Sequence, residues 1–302
     1  MMAETLTERI SAWILRSRWH ATLSLAAIFS LGWWLPPLAG PLFAFSCAVV
    51  VLIALQVGTR GSLEVGALSA AAVALLTIKP AVGLAFVLLW LPAWLLGEVL
   101  RRSGTLRAAS WVLLGLGAMI VALAVYAVPG EASSYWTGVL QQALSQVAQD
   151  GGANAEAVAQ LAALFPGLMG ASAVVVWVLA LLLGRWMQAS YAEEHTLQGE
   201  PFRDWSLPNA FLLMLPLAFL LGWLGSGDLA LFGQNIGLIL GVLFMFQGLA
   251  VIHTVAGLRQ WPWQVLLAFY VVLILLAQLA FVVSGLGIAD KALDLRQRLQ
   301  ER

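Results

Sequence analysis

The chain has 302 residues, of which 62% are hydrophobic and 10% charged, with 15 basic side chains against 15 acidic ones. An average soluble domain is roughly 45–50% apolar and about 25% charged, so a water-soluble globule is excluded, and so is a disordered chain, which needs low hydrophobicity and high charge. A net charge of zero leaves no basic footprint for nucleic acid, and what remains is an all-α, polytopic helical transmembrane bundle.

Residues 1–19 carry Glu4, Glu8, Arg9, Arg16 and Arg18 and lack the apolar core of a cleavable leader. Leu6, Ile10, Trp13 and Ile14 share one helical face, and Thr5 with Glu8 fits a capping box, which predicts an N-terminal helix lying in the membrane interface. A spanning helix needs about 20 mainly apolar residues. On that basis about nine spans are expected, near 21–35, 41–58, 62–78, 81–99, 108–128, 166–187, 207–225, 231–256 and 264–286; eight is the alternative. Lys79–Pro80 makes a tight turn between the third and fourth. The single cysteine, Cys47, lies inside an apolar run and reads as a small buried hydrophobe. Residues 129–165 read as an extracytoplasmic amphipathic loop, with a helix through Trp136, Leu140 and Leu144, a Gly151–Gly152 break and a second short helix from Asn154. Residues 287–302 form a C-terminal amphipathic helix, and the whole chain reads as one integral membrane domain.

Lys and Arg in short loops set orientation. Arg9, Arg16, Arg18, Arg60, Arg101, Arg102, Arg107, Arg185, Arg203 and Arg259 fall on one side if there are nine spans, whereas the other side has Lys79 and 129–165 has no basic residue, so the N-terminus is expected in the cytoplasm of a bacterial inner membrane. Nine spans then leave the basic tail, with Lys291, Arg296, Arg298 and Arg302, on the opposite side; either one segment is re-entrant, or the tail, offset by Asp290, Asp294 and Glu301, is tolerated there. Of the 14 tryptophans, Trp19, Trp33, Trp34, Trp111, Trp186, Trp205, Trp223, Trp261 and Trp263 sit at span ends, where indole settles at the headgroup level.

The eighth span carries Gly233, Gly237, Gly241 and Gly248, a small-residue stripe that lets neighbouring backbones approach closely, within the chain or in a homodimer. Ionisable groups in the spans are few, which disfavours mechanisms built on buried carboxylates. Glu64 pairs with Arg60 one turn away, and Glu98 with Arg101 and Arg102. The candidate ligand-binding residues are Asn235, Gln247 and His253 on the eighth span, with Trp90 and Trp94 on the fourth. No His-Glu-x-x-His, Gly-x-Gly-Asp or phosphate-loop motif is present, and the chain reads as carrying no catalytic residue, metal or cofactor. Gly170-Ala-Ser172-Ala with His253 is a near-miss for an intramembrane serine hydrolase, and Glu193–Glu194 a weaker one for a glutamate protease.

Three stretches carry a resemblance. They are Phe202-Arg203-Asp204-Trp205-Ser206-Leu207-Pro208, Gln247-Gly248 through Ile252-His253, and Gly285 through Asp290 with Asp294-Leu295-Arg296. With Pro41-Leu42 and Thr59-Arg60-Gly61, they resemble the YybS-like family of bacterial integral membrane proteins, a domain of unknown function with a more distant likeness to the substrate-binding S components of energy-coupling-factor transporters. The resemblance implies a membrane protein that binds a small molecule or serves transport, with any energising subunits separate. The alternative is a scaffold or assembly partner within the bilayer. Arg203 and Trp205 read as an anchor to the interface, by phosphate pairing and indole insertion. Expected partners are the lipid bilayer, a small-molecule ligand and a membrane-protein partner or second copy, with no nucleic acid.

Overall fold

The computed structural model describes residues 6–79, 82, 84, 86–147, 154–191 and 201–300. The predicted Thr5 cap, the turn at Pro80, the Gly151–Gly152 break and Glu193–Glu194 lie outside these residues. The described residues are helical, without strands. In chain order the helices are α1 (Leu6–Leu15), α2 (Arg18–Trp34), α3 (Ala39–Val57), α4 (Thr59–Thr77), α5 (Leu91–Ser103), α6 (Leu106–Tyr126), α7 (Ala132–Val147), α8 (Ala155–Tyr191), α9 (Asn209–Leu224), α10 (Gly227–Leu258), α11 (Trp263–Leu275), α12 (Leu279–Leu293) and α13 (Leu295–Gln300).

Among the described residues four stretches are long and apolar enough to cross a membrane: Pro36–Val57, α6, α8 and α10. The expected nine is not reached. α2 and α9 have 17 and 16 residues, α4 falls short in apolarity, and the segment expected at 81–99 lies partly outside the described residues, its described helix α5 having 13. The segment expected as the ninth span is broken between α11 and α12, which meet at 118°; counting that pair as one span gives five.

Contacts divide the chain into two units, residues 1–113 with 175–200 and residues 114–174 with 201–302. In the first unit α2 packs on α3 and α4, and α3 on α5. Ala48, Val49, Val51, Leu52 and Ala54 of α3 are wholly buried, as an apolar helix surrounded by protein requires. Gly97 and Gly184 make this possible, since a Cβ at either would strike α3, at Ala54 from Gly97 and at Ala48 and Val51 from Gly184. α1 docks through buried Ile14 and through Ser11, which donates to the Met187 carbonyl at 3.2 Å, while Leu6, Ile10 and Trp13 stay exposed. Ser17 caps α2 by accepting from the His20 amide.

In the second unit α10 is the axis. α9 and α10 form a hairpin in which Gly233 meets Leu221 and Gly222. Asn235 lies beside Gly167, and Ile239 beside Gly170 and Val174, so α8 and α10 run parallel. α12 also runs parallel to α10. Ser284 bonds the Gly241 carbonyl and Asp290 bonds Gln247, each across 43 residues, and Gly287 lies on Phe244. Two parallel helices close in sequence require the intervening α11 to carry the chain back. α11 and α12 therefore form a hairpin that begins and ends at the C-terminal end of α10.

α8 departs from expectation in a second way. The predicted short helix from Asn154 and the sixth span are one continuous helix of 37 residues, with Pro166 inside it. A proline there removes a backbone hydrogen bond and crowds the preceding turn, which is why the sequence reads as a new start. The cause of the continuity lies on α10.

Candidate functional site

Asn235 is fully buried on α10. Its Oδ1 accepts from the Gly167 amide at 2.6 Å, and its Nδ2 donates to the Ala163 and Leu231 carbonyls at 2.9 and 2.7 Å. Gly167 and Ala163 are an i, i−4 pair flanking Pro166. One side-chain amide thus serves both backbone groups where the proline disturbs the ladder, as neighbouring helices must do in a medium without water. Gly167 is required for this, because a Cβ there would collide with Asn235 Oδ1.

Twelve residues along α10, Gln247 occupies the centre of a second polar cluster. It is 1% exposed. Its Oε1 accepts from the Leu207 amide at 3.0 Å, and its Nε2 donates to Asp290 Oδ2 at 2.8 Å. Asp290, 3% exposed, forms an ion pair with Arg296 at 2.9 Å and accepts the Arg296 backbone amide at 3.2 Å. Arg296 donates onward to the Arg203 and Trp205 carbonyls at 2.9 and 3.0 Å. Thr254 donates to the same Arg203 carbonyl at 3.0 Å, and Lys291 to Ser206 at 3.2 Å. Asp294 makes the fold-back possible. It joins α12 to α13 at φ +50°, a left-handed conformation that aspartate tolerates better than most residues, and so turns Arg296 onto Asp290. The three sequence stretches that carry the resemblance meet in this latch.

His253 lies nearly two turns beyond Gln247, half-buried, with Nε2 2.8 Å from the Tyr270 hydroxyl of α11 and its ring edge-on to Phe202. Trp90 and Trp94 belong to the first unit, where their indoles donate to Ser46 and Ser62 at 3.0 and 2.9 Å. No single unit brings the five candidate residues together, and both amides are closed by protein partners instead of lining a cavity. Trp205 is a correction: its indole is buried against Phe246, so it packs a core and does not anchor at the interface. The other eight tryptophans expected at span ends are exposed. The side chain of Arg203 is exposed, and its contribution to the latch is its carbonyl. The glycine stripe also divides. Gly233 and Gly248 are packed, whereas a Cβ at Gly237 or Gly241 would meet nothing within 4 Å.

Glu64 pairs with Arg18 at 2.7 Å, not with Arg60. Both partners are exposed, so the pair contributes little. Glu98 pairs with Arg101 and Arg102 as expected, and Thr59 donates to it at 2.7 Å. It sits near the end of α5, outside the membrane-length helices. The hydrogen bond from Arg101 is the main cause holding its carboxyl well below the usual carboxylate range, helped by Thr59 and Arg102 against the cost of burial. Ser172 donates to the Met169 carbonyl at 3.0 Å and has no contact with His253. Among the described residues no group of three His, Cys, Asp or Glu side chains could hold a metal ion. Asp290 and Arg296 were not singled out from sequence. Their six-residue spacing across a helix break is neither a helical pair nor a known motif, and only their place in the shared stretches marked them.

The described residues of the second unit form two open grooves of note. One, of about 670 Å³, runs between α9 and α10 beside Pro216, Phe219, Trp223, Gln234 and Gly237. The other, of about 500 Å³, lies between α10, α12 and α13.

Several apolar helices, few charges within them and buried amides spent on helix–helix contacts define an integral membrane protein of the all-helical class. Residues 24–291 match the family described as "Predicted membrane protein (DUF2232)", and the chain belongs to that family. No curated protein and no solved structure matches it.

Proposed function

We propose that the protein is a multi-pass protein of the bacterial inner membrane, N-terminus in the cytoplasm, that binds a small apolar molecule taken from the bilayer. The role is transport-related, in the manner of the S components its sequence distantly resembles, with energising subunits separate. The observation that supports this is the α9–α10 groove. Its volume of about 670 Å³ falls in the range of small-molecule sites, its walls are apolar and aromatic, and Gln234 is its polar group. A hydrophilic ligand held by Asn235 and Gln247 is disfavoured, because both amides are already satisfied.

Gly237→Trp tests this. Its Cβ meets no neighbour, so the indole enters the groove without displacing the packed helices. Mass spectrometry of apolar molecules extracted from purified protein should detect a bound species in the parent chain that the variant lacks. The same species at the same stoichiometry in both would overturn the proposal.

A second reading, the membrane scaffold, is favoured by α11, which has no buried residue along its 13 positions. A photocrosslinker at Ile274, 80% exposed, should then give a discrete protein adduct in cells. Adducts to lipid alone would dispose of it.

A further inference from the structure

The charges of the second unit are sorted by end. Every described basic residue, Arg203, Arg259, Lys291, Arg296 and Arg298, is at the C-terminal end of α10 or on the segments tied to it. The described acids there are Asp204, Asp290 and Asp294, so among the described residues five positive charges face three negative ones. The opposite end has Glu131, Glu156 and Asp228 and no described basic residue. Basic residues concentrate on the cytoplasmic side, where the leaflet is anionic.

The 500 Å³ groove opens at this basic end. Val251 and Val255 of α10, Leu286 of α12 and Leu295 of α13 line it, with Trp261 and Arg298 at its rim. Arg296 is consumed by Asp290, but Arg298 is exposed, and among the described residues its guanidinium has no hydrogen-bond or ion-pair partner. An apolar trough, an exposed indole and a guanidinium without a partner among the described residues match an acyl chain, a glycerol backbone and a phosphate.

We infer that this groove is a binding site for an anionic phospholipid, its acyl chain along α10 and α12 and its phosphate on Arg298. The occupant is set by net charge: the phosphate of a zwitterionic lipid is already offset by its own ammonium, so a lipid of net negative charge is the one that compensates the guanidinium. The site is separate from the α9–α10 groove, so Gly237→Trp leaves it intact and the two proposals fail independently.

The test uses the full chain in detergent, titrated with dioleoyl phosphatidylglycerol, with dioleoyl phosphatidylcholine or with inorganic phosphate, and read by native mass spectrometry. The parent chain retains phosphatidylglycerol over phosphatidylcholine. Arg298→Gln lowers phosphatidylglycerol retention roughly fivefold, the worth of one basic residue near an anionic lipid, and leaves phosphatidylcholine unchanged. Leu286→Trp, which fills the trough, removes retention of both. Because Arg298 is exposed, its substitution leaves the fold intact and decides the matter alone should Leu286→Trp fail to fold. Equal retention of the two lipids by the parent chain, unchanged retention by Arg298→Gln, or inorganic phosphate competing as well as the lipid would each overturn the inference.

Discussion

At the scale of single residues, polar groups in this protein act as couplings between helices. Asp290 shows the logic. It is 3% exposed, and burial of a carboxylate is tolerable only with partners, which here are Gln247 Nε2 and both the guanidinium and the amide of Arg296. Asp290→Ala should cost about 3–5 kcal/mol, because Arg296, only 13% exposed, is left as an uncompensated buried charge. Pairing Asp290→Leu with Arg296→Met should recover most of that loss, since the desolvation cost disappears with both charges. Chemical unfolding of the purified variants measures the difference. A double variant as unstable as Asp290→Ala would show that the backbone contacts of Arg296 to Arg203 and Trp205, and not the ion pair, hold the segment. Little of this was legible in the sequence. Gln247 and Asn235 could be recognised as buried amides needing partners, but a buried amide that glues helices and one that grips a ligand look alike in one dimension. Trp205 misleads for a related reason: an indole before a span is compatible with the interface and with a core, and only Phe246 on a distant helix decides between them.

At the scale of elements, the apolar runs located the helices, and tertiary contacts set where they end. α8 runs through Pro166 because Asn235 serves the flanking backbone groups, a compensation from another helix 68 residues away. The 264–286 run breaks at 276–278 although every residue near the break is apolar except Gln278, so hydropathy gives no sign of it. The signal lies instead in the partner helix. Gly248 and Gly287 bring α10 and α12 into backbone contact, the Cβ of either striking the opposite carbonyl at Val283 or Phe244. Carbonyls on packed helices have little room to give, so Gly248→Ala should force α10 and α12 apart at a cost of about 1–3 kcal/mol or more. Gly241→Ala, on the same stripe, meets nothing and should stay within about 0.5 kcal/mol of the parent chain. Thermal unfolding in detergent separates the two. Equal effects would mean that the stripe acts as a whole, as its sequence period alone suggests.

At the scale of the second unit and its place in a membrane, the parallel register of α10 and α12 settles which way the chain leaves. Ser284 on Gly241 and Asp290 on Gln247 put the end of α12 beside Gln247, and Arg296 beyond it reaches the Arg203 and Trp205 carbonyls. α11 with α12 therefore enters and leaves at one end of α10, and a pair that re-enters the membrane in this way would remove the conflict between nine expected spans and a basic tail. The tail lies with Arg203 and Arg259, where loop charge asks it to be. Reactive cysteines test this directly, because the one native cysteine, Cys47, is wholly buried and gives a silent background. Gln297→Cys on α13 and Arg259→Cys at the end of α10, both exposed, should be labelled in inside-out vesicles by a membrane-impermeant maleimide and protected in spheroplasts. Ser134→Cys on α7, exposed near the acidic end of α10, should show the reverse. Labelling of Gln297→Cys from the same side as Ser134→Cys would mean that α11 and α12 cross the bilayer together as one broken span. The bonds of Arg296 to Arg203 and Trp205 would then have to be absent in the membrane, because the two ends they join would face opposite compartments.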